Sequence, residues 1–118
     1  LIGAAQRSLE LACKRVASRT TFGRTLSQHQ SVREDIARCF SEIEMARLLV
    51  LKTCKKMDDA GTMGALDMIA ASKTTVPLMV QNIIDRCMQM HGAGGLTADY
   101  CMAEAFNYAR WCFLSCLV

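Results

Sequence analysis

Proline occurs once and glycine only seven times in 118 residues, and aromatic side chains make up 6% of the chain. So few breakers exclude a disordered or low-complexity chain and point to long, uninterrupted elements. β-Branched alternation of apolar and polar residues is missing as well, so strands are not expected. No apolar run approaches the about 20 residues of a membrane span. The longest, Trp111 to Val118, is short and broken by Ser115. An excess of one charge is also lacking: 14 Lys and Arg against 11 Asp and Glu leave a net charge of +3. These charges are spread along the chain, whereas nucleic-acid binders concentrate theirs on one face. Neither a membrane span nor a nucleic-acid partner is expected.

Cysteine is plentiful but lacks every pattern that would make it a framework. The seven (positions 13, 39, 54, 87, 101, 112 and 116) are odd in number and include no CxxC pair. Most fall on apolar helical positions, where free cysteine packs as a small hydrophobe. That usage fits a reducing intracellular compartment. His29 and His91 adjoin no cysteine pair, and Cys112 with Cys116 supply only two ligands, so no zinc site is read. Neither histidine has a glutamate three residues before it, which removes the Glu-x-x-His di-metal bundles.

What is present is helix. Hydrophobic residues reach 52%, enough for one domain with a real core over residues 1–118. The apolar stripe Ile2, Ala5, Leu9, Ala12, Cys13 and Val16 predicts a first helix from Ile2 to Ser18. Thr20 to Gln28 reads as a break, with Ser27 as N-cap of a second helix over Gln28 to Ala60. That helix would be close to 50 Å long at about 1.5 Å per residue. Glu34 and Arg38 would pair on its outer face, and Gly61 to Gly64 would end it. A third helix follows from Ala65 to His91, kinked at Pro77, and Gly92 to Gly95 stops it. Thr97 would cap a fourth helix with Asp99 in its first turn. The expected fold is all-α, an antiparallel up-and-down four-helix bundle with Ile36, Phe40, Ile43, Val80, Ile83, Ile84 and Phe106 in its core.

Two polar corners punctuate this body: Arg19-Thr20-Thr21-Phe22-Gly23 with Gln30, and Gln89-Met90-His91-Gly92-Ala93-Gly94-Gly95. A guanidinium at a helix end and backbone NH groups at glycine turns both hold anions, phosphate above all. The long helices between are expected to hold these corners apart. Plainer readings stand beside this one. Arg19, Thr21 and Phe22 can be a cap and hydrophobic staple, the glycines a helix stop, and Arg47 a snorkelling side chain or an acid's partner.

The motifs also run in a familiar order. Gly3-x-x-Gln6-Arg7, Arg19-Thr-Thr-Phe22-Gly23 with Gln30, Glu44-x-x-Arg47, Gln89-x-x-Gly92-x-x-Gly95 and Asp99-Tyr100 together resemble the C-terminal helical domain of the acyl-CoA dehydrogenases. The likeness is greatest to the large members numbered ten and eleven, which also carry a proline where Pro77 sits. It implies part of an FAD-dependent oxidoreductase that dehydrogenates acyl-CoA thioesters to trans-2-enoyl-CoA in fatty-acid oxidation, in the mitochondrion or peroxisome. It further implies homo-oligomers that share FAD between subunits. By the same resemblance, Arg19 would meet the FAD pyrophosphate, and Thr21, Phe22 and Gln30 would lie at that corner. Gln89, Gly92 and Ala93 would face the nucleotide of a neighbouring subunit's FAD.

The chain departs from the family pattern in two places. Ala93 stands where the second glycine of the corner is usual. Where the catalytic carboxylate and a glycine should follow the last helix, Cys116 and Leu117 stand instead, and from Phe113 onward the likeness fades. No catalytic residue is therefore assigned, and this chain alone is not expected to dehydrogenate acyl-CoA. The alternative is a catalytically dead helical module that keeps the bundle as an interaction surface. The odd opening inside an apolar helical pattern, Leu1-Ile2-Gly3-Ala4-Ala5, suggests a piece of something longer.

Overall fold

The computed structural model describes residues 1–115. Four helices carry nearly all of it: α1 (Ile2–Ser18), α2 (Gln30–Gly64), α3 (Leu66–His91) and α4 (Met102–Leu114). The α3 helix is the hub and packs against the other three, while α1 also touches α2. Small residues allow the close approach: Ala5, Ala12, Ala46 and Ala109 are all buried among Leu9, Ile43, Val80, Ile83, Ile84 and Met102. The all-α bundle expected from periodicity is the fold observed. Its long axis, 56 Å, follows from the 35 residues of α2 at about 1.5 Å each. Among the described residues no helix is long and apolar enough to cross a membrane.

A polar fastening joins α2 to α3 within this apolar packing. Thr53 Oγ1 lies 2.6 Å from Ser72 Oγ and 2.8 Å from the Leu49 carbonyl. Nearer the middle, Arg86 Nη1 donates to Glu42 Oε2 at 2.6 Å and to Cys39 Sγ at 3.8 Å. Cys39 and Cys87 share this buried seam. The Cys39 thiol is lowered to about 7 by a hydrogen bond from Cys87 and by Arg86, against the opposing effect of burial. Cys87 is pushed up, by giving that hydrogen bond and by desolvation. The described cysteines are free thiols, and no His, Cys, Asp or Glu cluster among the described residues has the makings of a metal site.

Several local expectations are corrected. Phe40 is 56% exposed, because its position on α2 points away from the seam that Cys39 and Ile43 fill. Ile36 and Phe106 pack against the core from its edge, half-buried. The break in α2 falls at Gly61, whose φ of 70° and ψ of 174° leave the helical region, and helical structure resumes to Gly64. Ser27 does not cap α2: it lies in a short 3-10 turn, Leu26–Gln28, and His29 takes the cap position without a side-chain bond. Glu34 accepts a hydrogen bond from Gln30 at 2.8 Å rather than pairing with Arg38. Thr97 does not start α4, because its hydroxyl donates backwards to the Gly94 carbonyl at 2.8 Å. Cys101 holds the cap position, and Glu104, not Asp99, is the acid of the first turn.

The absence of strands also needs correction. Thr20–Thr21 (β1) and Arg24–Thr25 (β2) pair antiparallel, Thr20 opposite Thr25 and Thr21 opposite Arg24. Phe22 and Gly23 form the two-residue turn with φ of 51° and 79°. Positive φ at both central positions is what a tight hairpin of this twist demands. It is too short to show as alternation in the sequence, and only Gly23 advertised it.

Candidate functional site

Helix α1 ends at Ser18, and its last turn supplies Arg15 and, one turn on, Arg19. The Arg19 amide still donates to the Arg15 carbonyl at 2.9 Å, while its own carbonyl accepts from Leu26 at 2.9 Å. That second bond closes the hairpin loop beneath the end of α1. On the other side, α3 ends at His91 and the chain turns at Gly92, with φ of 62° and ψ of −143°. A Cβ at Gly92 would meet nothing within 4 Å, so its backbone conformation, not space, favours glycine there. A 3-10 turn, Gly92–Leu96, completes the corner.

Because α1 and α3 pack side by side, their ends come together and the two corners are not held apart. They form the walls of one cleft of about 400 Å³, lined by Arg15, Arg19, Thr21, Leu26 and the segment 89–94. Of the residues singled out from sequence, Arg19, Thr21, Gln89, Gly92 and Ala93 meet here. Phe22 does not line the cleft: its ring is 97% exposed on a backbone whose positive φ is unfavourable for a bulky residue. That exposure rules out a hydrophobic staple. Gln30 lies outside too, engaged with Glu34.

The polarity of the cleft is one-sided. Two guanidiniums line it and no carboxylate does. His91 is buried, with Nδ1 at 2.8 Å from the Cys87 carbonyl and the Tyr100 ring edge-on at 4.6 Å. Since a carbonyl only accepts, Nδ1 carries a proton and donates it to Cys87. The ring's Nε2 is buried and has no hydrogen-bond partner, and neither does the buried Nε of Arg15. Arg15 and Leu26 were not anticipated as lining residues, and Met90, His91 and Gly94 were read only as part of the glycine corner, without roles of their own. The signal for Arg15 was available: it precedes Arg19 by four residues, so one helix face carries both.

A second cleft of about 760 Å³ runs between α1 and α4, lined among others by Arg7, Asp99, Tyr100, Glu104 and Asn107. Thus Arg7 and the Asp99-Tyr100 motif, far apart in sequence, face one groove, while Gln6 bonds Glu10 on its own helix. The remaining motif is local. Arg47 Nε bonds Glu44 Oε1 at 3.2 Å, both side chains largely solvated, which is the plain acid-partner reading.

Comparison with known proteins decides the family. Residues 1–112 match the family described as acyl-CoA dehydrogenase, C-terminal domain. The chain belongs to the acyl-CoA dehydrogenase family. It is 48% identical over 110 residues to mouse (Mus musculus) acyl-CoA dehydrogenase family member 10, covering 93% of this chain and 10% of that protein. With acyl-CoA dehydrogenase family member 11 of Gallus gallus the identity is 43% over 109 residues, covering 92% of this chain and 14% of the relative. The chain therefore spans only a small part of the relatives it matches. A solved structure from Mycobacterium abscessus, assigned as an acyl-CoA dehydrogenase, superposes with a TM-score of 0.94 at 41% identity, over 97% of this chain and 28% of that one. Butyryl-CoA dehydrogenase from Megasphaera elsdenii shares the fold at a TM-score of 0.86 and 24% identity, over 98% of this chain and 31% of that one. Within this family domain, the position expected for the catalytic carboxylate, Cys116, lies outside the described residues.

Proposed function

We propose that this chain is the flavin-site and assembly domain of an FAD-dependent acyl-CoA dehydrogenase that acts on acyl-CoA thioesters in fatty-acid oxidation. The observation that carries this reading is the cleft at the ends of α1 and α3. Arg19 and Thr21 stand there opposite Gln89, Gly92 and Ala93, with no carboxylate to repel an anion. These residue types fit the diphosphate and nucleotide part of FAD. A guanidinium grips phosphate oxygens bidentately, and the residues from Gly92 to Gly94 carry at most a methyl group, so a ligand can approach the backbone. Arg19 would hold the diphosphate, with Thr21 and Gln89 as hydrogen-bonding neighbours. Phe22 at the hairpin turn and Gln30 at the start of α2 would reach the cofactor beyond this cleft. When bound, FAD supplies acceptance of the substrate's β-hydride.

Exposed apolar side chains support the assembly half of the reading. Met45, Leu48 and Leu51 follow one another at three-residue spacing on α2 and are 53%, 64% and 58% exposed. Such an apolar ridge fits a surface covered by protein. Another subunit of the same kind would cover it, and Leu48→Asp would then shift the chain toward monomer in sedimentation.

The deciding experiment is a titration of FAD against the native chain and Arg19→Ala, followed by flavin fluorescence. The expected result is measurable binding by the native chain, weakened at least about tenfold by loss of the charge-assisted pair. Equal binding by both forms would remove Arg19 from the site.

A further inference from the structure

Three helices each bring one cysteine to the same junction: Cys13 from α1, Cys39 from α2 and Cys87 from α3. Cys39 and Cys87 are fully buried in the core. Cys13 packs against that core from its edge, half-buried, and all three are free thiols. Cys13 also lines an apolar groove of about 640 Å³ between α1 and α2, whose facing wall is Ile36, Ala37 and Phe40. Those residues bracket Cys39 on α2, Ile36 one turn before it and Phe40 directly after. A small solute in the groove therefore meets the Cys13 thiol, with Cys39 behind it and out of the solute's reach.

The three thiols differ in chemistry. Cys39 Sγ accepts from Arg86 Nη1 at 3.8 Å. The hydrogen bond from Cys87, followed by that guanidinium, holds Cys39 at about 7 against burial and the charge of Glu42 on its own helix. Cys13 is raised, first by burial and then by neighbouring Cys39 and by Glu10. The thiolate is the nucleophile in sulfur chemistry. The accessible thiol is thus the slow one, and the ready thiolate is shielded from everything but what its neighbour Cys13 becomes.

We propose that Cys13 and Cys39 form a reversible oxidation site, in which a peroxide in the α1–α2 groove turns Cys13 into a sulfenic acid and Cys39 resolves it to a disulfide tying α1 to α2. In the first step the Cys13 sulfur takes one peroxide oxygen and loses two electrons to it. The O–O bond breaks, and the thiol proton leaves on the other oxygen as water or an alcohol. In the second step the Cys39 thiolate attacks the Cys13 sulfur, the S–O bond breaks, and hydroxide leaves as water with a proton from solvent. A thiol reductant reverses the bond by exchange. Cys87 is a positioning residue, whose S–H holds Cys39 in the thiolate form. The site is independent of the flavin reading.

The test treats the dilute 118-residue chain with hydrogen peroxide, blocks the remaining thiols and maps tryptic peptides by mass spectrometry. Trypsin puts the three cysteines on separate peptides, residues 8–14, 39–47 and 87–110. The expected product joins 8–14 to 39–47 and disappears on reduction. Cys39→Ser should stop at the sulfenic acid, captured on Cys13 by dimedone, and Cys13→Ser should leave Cys39 unmodified. In the native chain the captured fraction should fall as pH rises through about 7, because the Cys39 thiolate then outruns the trap. Cys87→Ala should move that midpoint up by about one pH unit, since a hydrogen bond to the charged form is lost. Cys87→Ser, which keeps a donor, should hold the midpoint near its native position. Circular dichroism checks that each variant keeps its helix content, and the native peptide map decides the site without any variant. No cross-link between 8–14 and 39–47, or one between 39–47 and 87–110 in its place, would overturn the proposal. Oxidation of Cys39 in the Cys13→Ser chain would overturn the route through Cys13.

Discussion

A Cβ placed on Gly95 would lie 2.8 Å from the carbonyl oxygen of Met88 and 3.0 Å from its Cα. The glycine corner is therefore seated directly on the last turns of α3, and that close contact sets the position of the wall that faces Arg19. Gly95→Ala must push backbone against backbone. We expect it to destabilise the chain by about 1–3 kcal/mol, the cost of overpacking a tight site. Thermal unfolding followed by circular dichroism reads this as a lower melting temperature. Gly92→Ala, where space is open, should cost only the backbone penalty of a φ of 62° with a ψ of −143°, a region nearly confined to glycine, about 1–3 kcal/mol.

Core and surface substitutions on α2 and α3 should separate cleanly. Ile43 and Ile83 are 1% and 0% exposed, and truncating either to alanine is expected to cost about 2–5 kcal/mol. Phe40→Ala, on the exposed face of α2, should leave the melting temperature of the dilute chain nearly unchanged while weakening self-association. Chemical denaturation at low protein concentration, paired with sedimentation, distinguishes the two effects. Unchanged stability in both isoleucine variants would show the core to be wrongly placed.

The Lys56–Asp67 bridge joins α2 to the first turn of α3, with Nζ at 2.7 and 2.8 Å from the two carboxylate oxygens. The hydrogen bond from Lys56, followed by that from the Met68 amide, holds the Asp67 carboxyl below its ordinary value. A carboxylate depressed in the folded state contributes stability above its unfolded pKa and loses it as pH falls through the folded one. Asp67→Asn should therefore melt slightly below the native chain at neutral pH. The gap should close progressively as pH falls below the ordinary aspartate value of about 4. Because Asp67 is largely solvated and Lys56 partly so, added salt should also narrow it.

A larger effect is expected at Arg86 and Glu42, whose side chains are only 24% and 18% exposed. Glu42→Gln leaves a guanidinium in the α2–α3 seam without its counter-charge. We expect a loss of about 1–3 kcal/mol, less than the about 3–5 of a fully buried pair. The double variant Glu42→Leu with Arg86→Met should recover most of it, since apolar replacements need no partner. Failure of the double variant to recover would assign the loss to packing rather than charge.

Spacing at three and four residues determined the helices, their order and most of the core, because each apolar stripe is a local property of the sequence. Ile43, Val80, Ile83 and Ile84 were legible for that reason, and so was the identity of Arg19 and of the glycine corner. The sequence could not tell Phe40 from Ile43, since both lie on apolar positions of α2 and only the direction of α3 decides which is covered. The Phe22-Gly23 hairpin was hidden because two-residue strands leave no periodicity. Thr97 was misread because a hydroxyl that can cap forward can also donate backward, and local sequence does not choose. The site needed the tertiary structure most. Packing of α1 along α3 brings Arg15 and Arg19 to the residues from Gln89 to Gly94, and no linear motif encodes that meeting. It arises because small residues such as Ala5 and Ala12 let the two helices approach, and Gly95 lets the returning chain lie against Met88. The sequence by itself named the chemical groups, and only the three-dimensional packing put two of its arginines and one buried histidine around the same space.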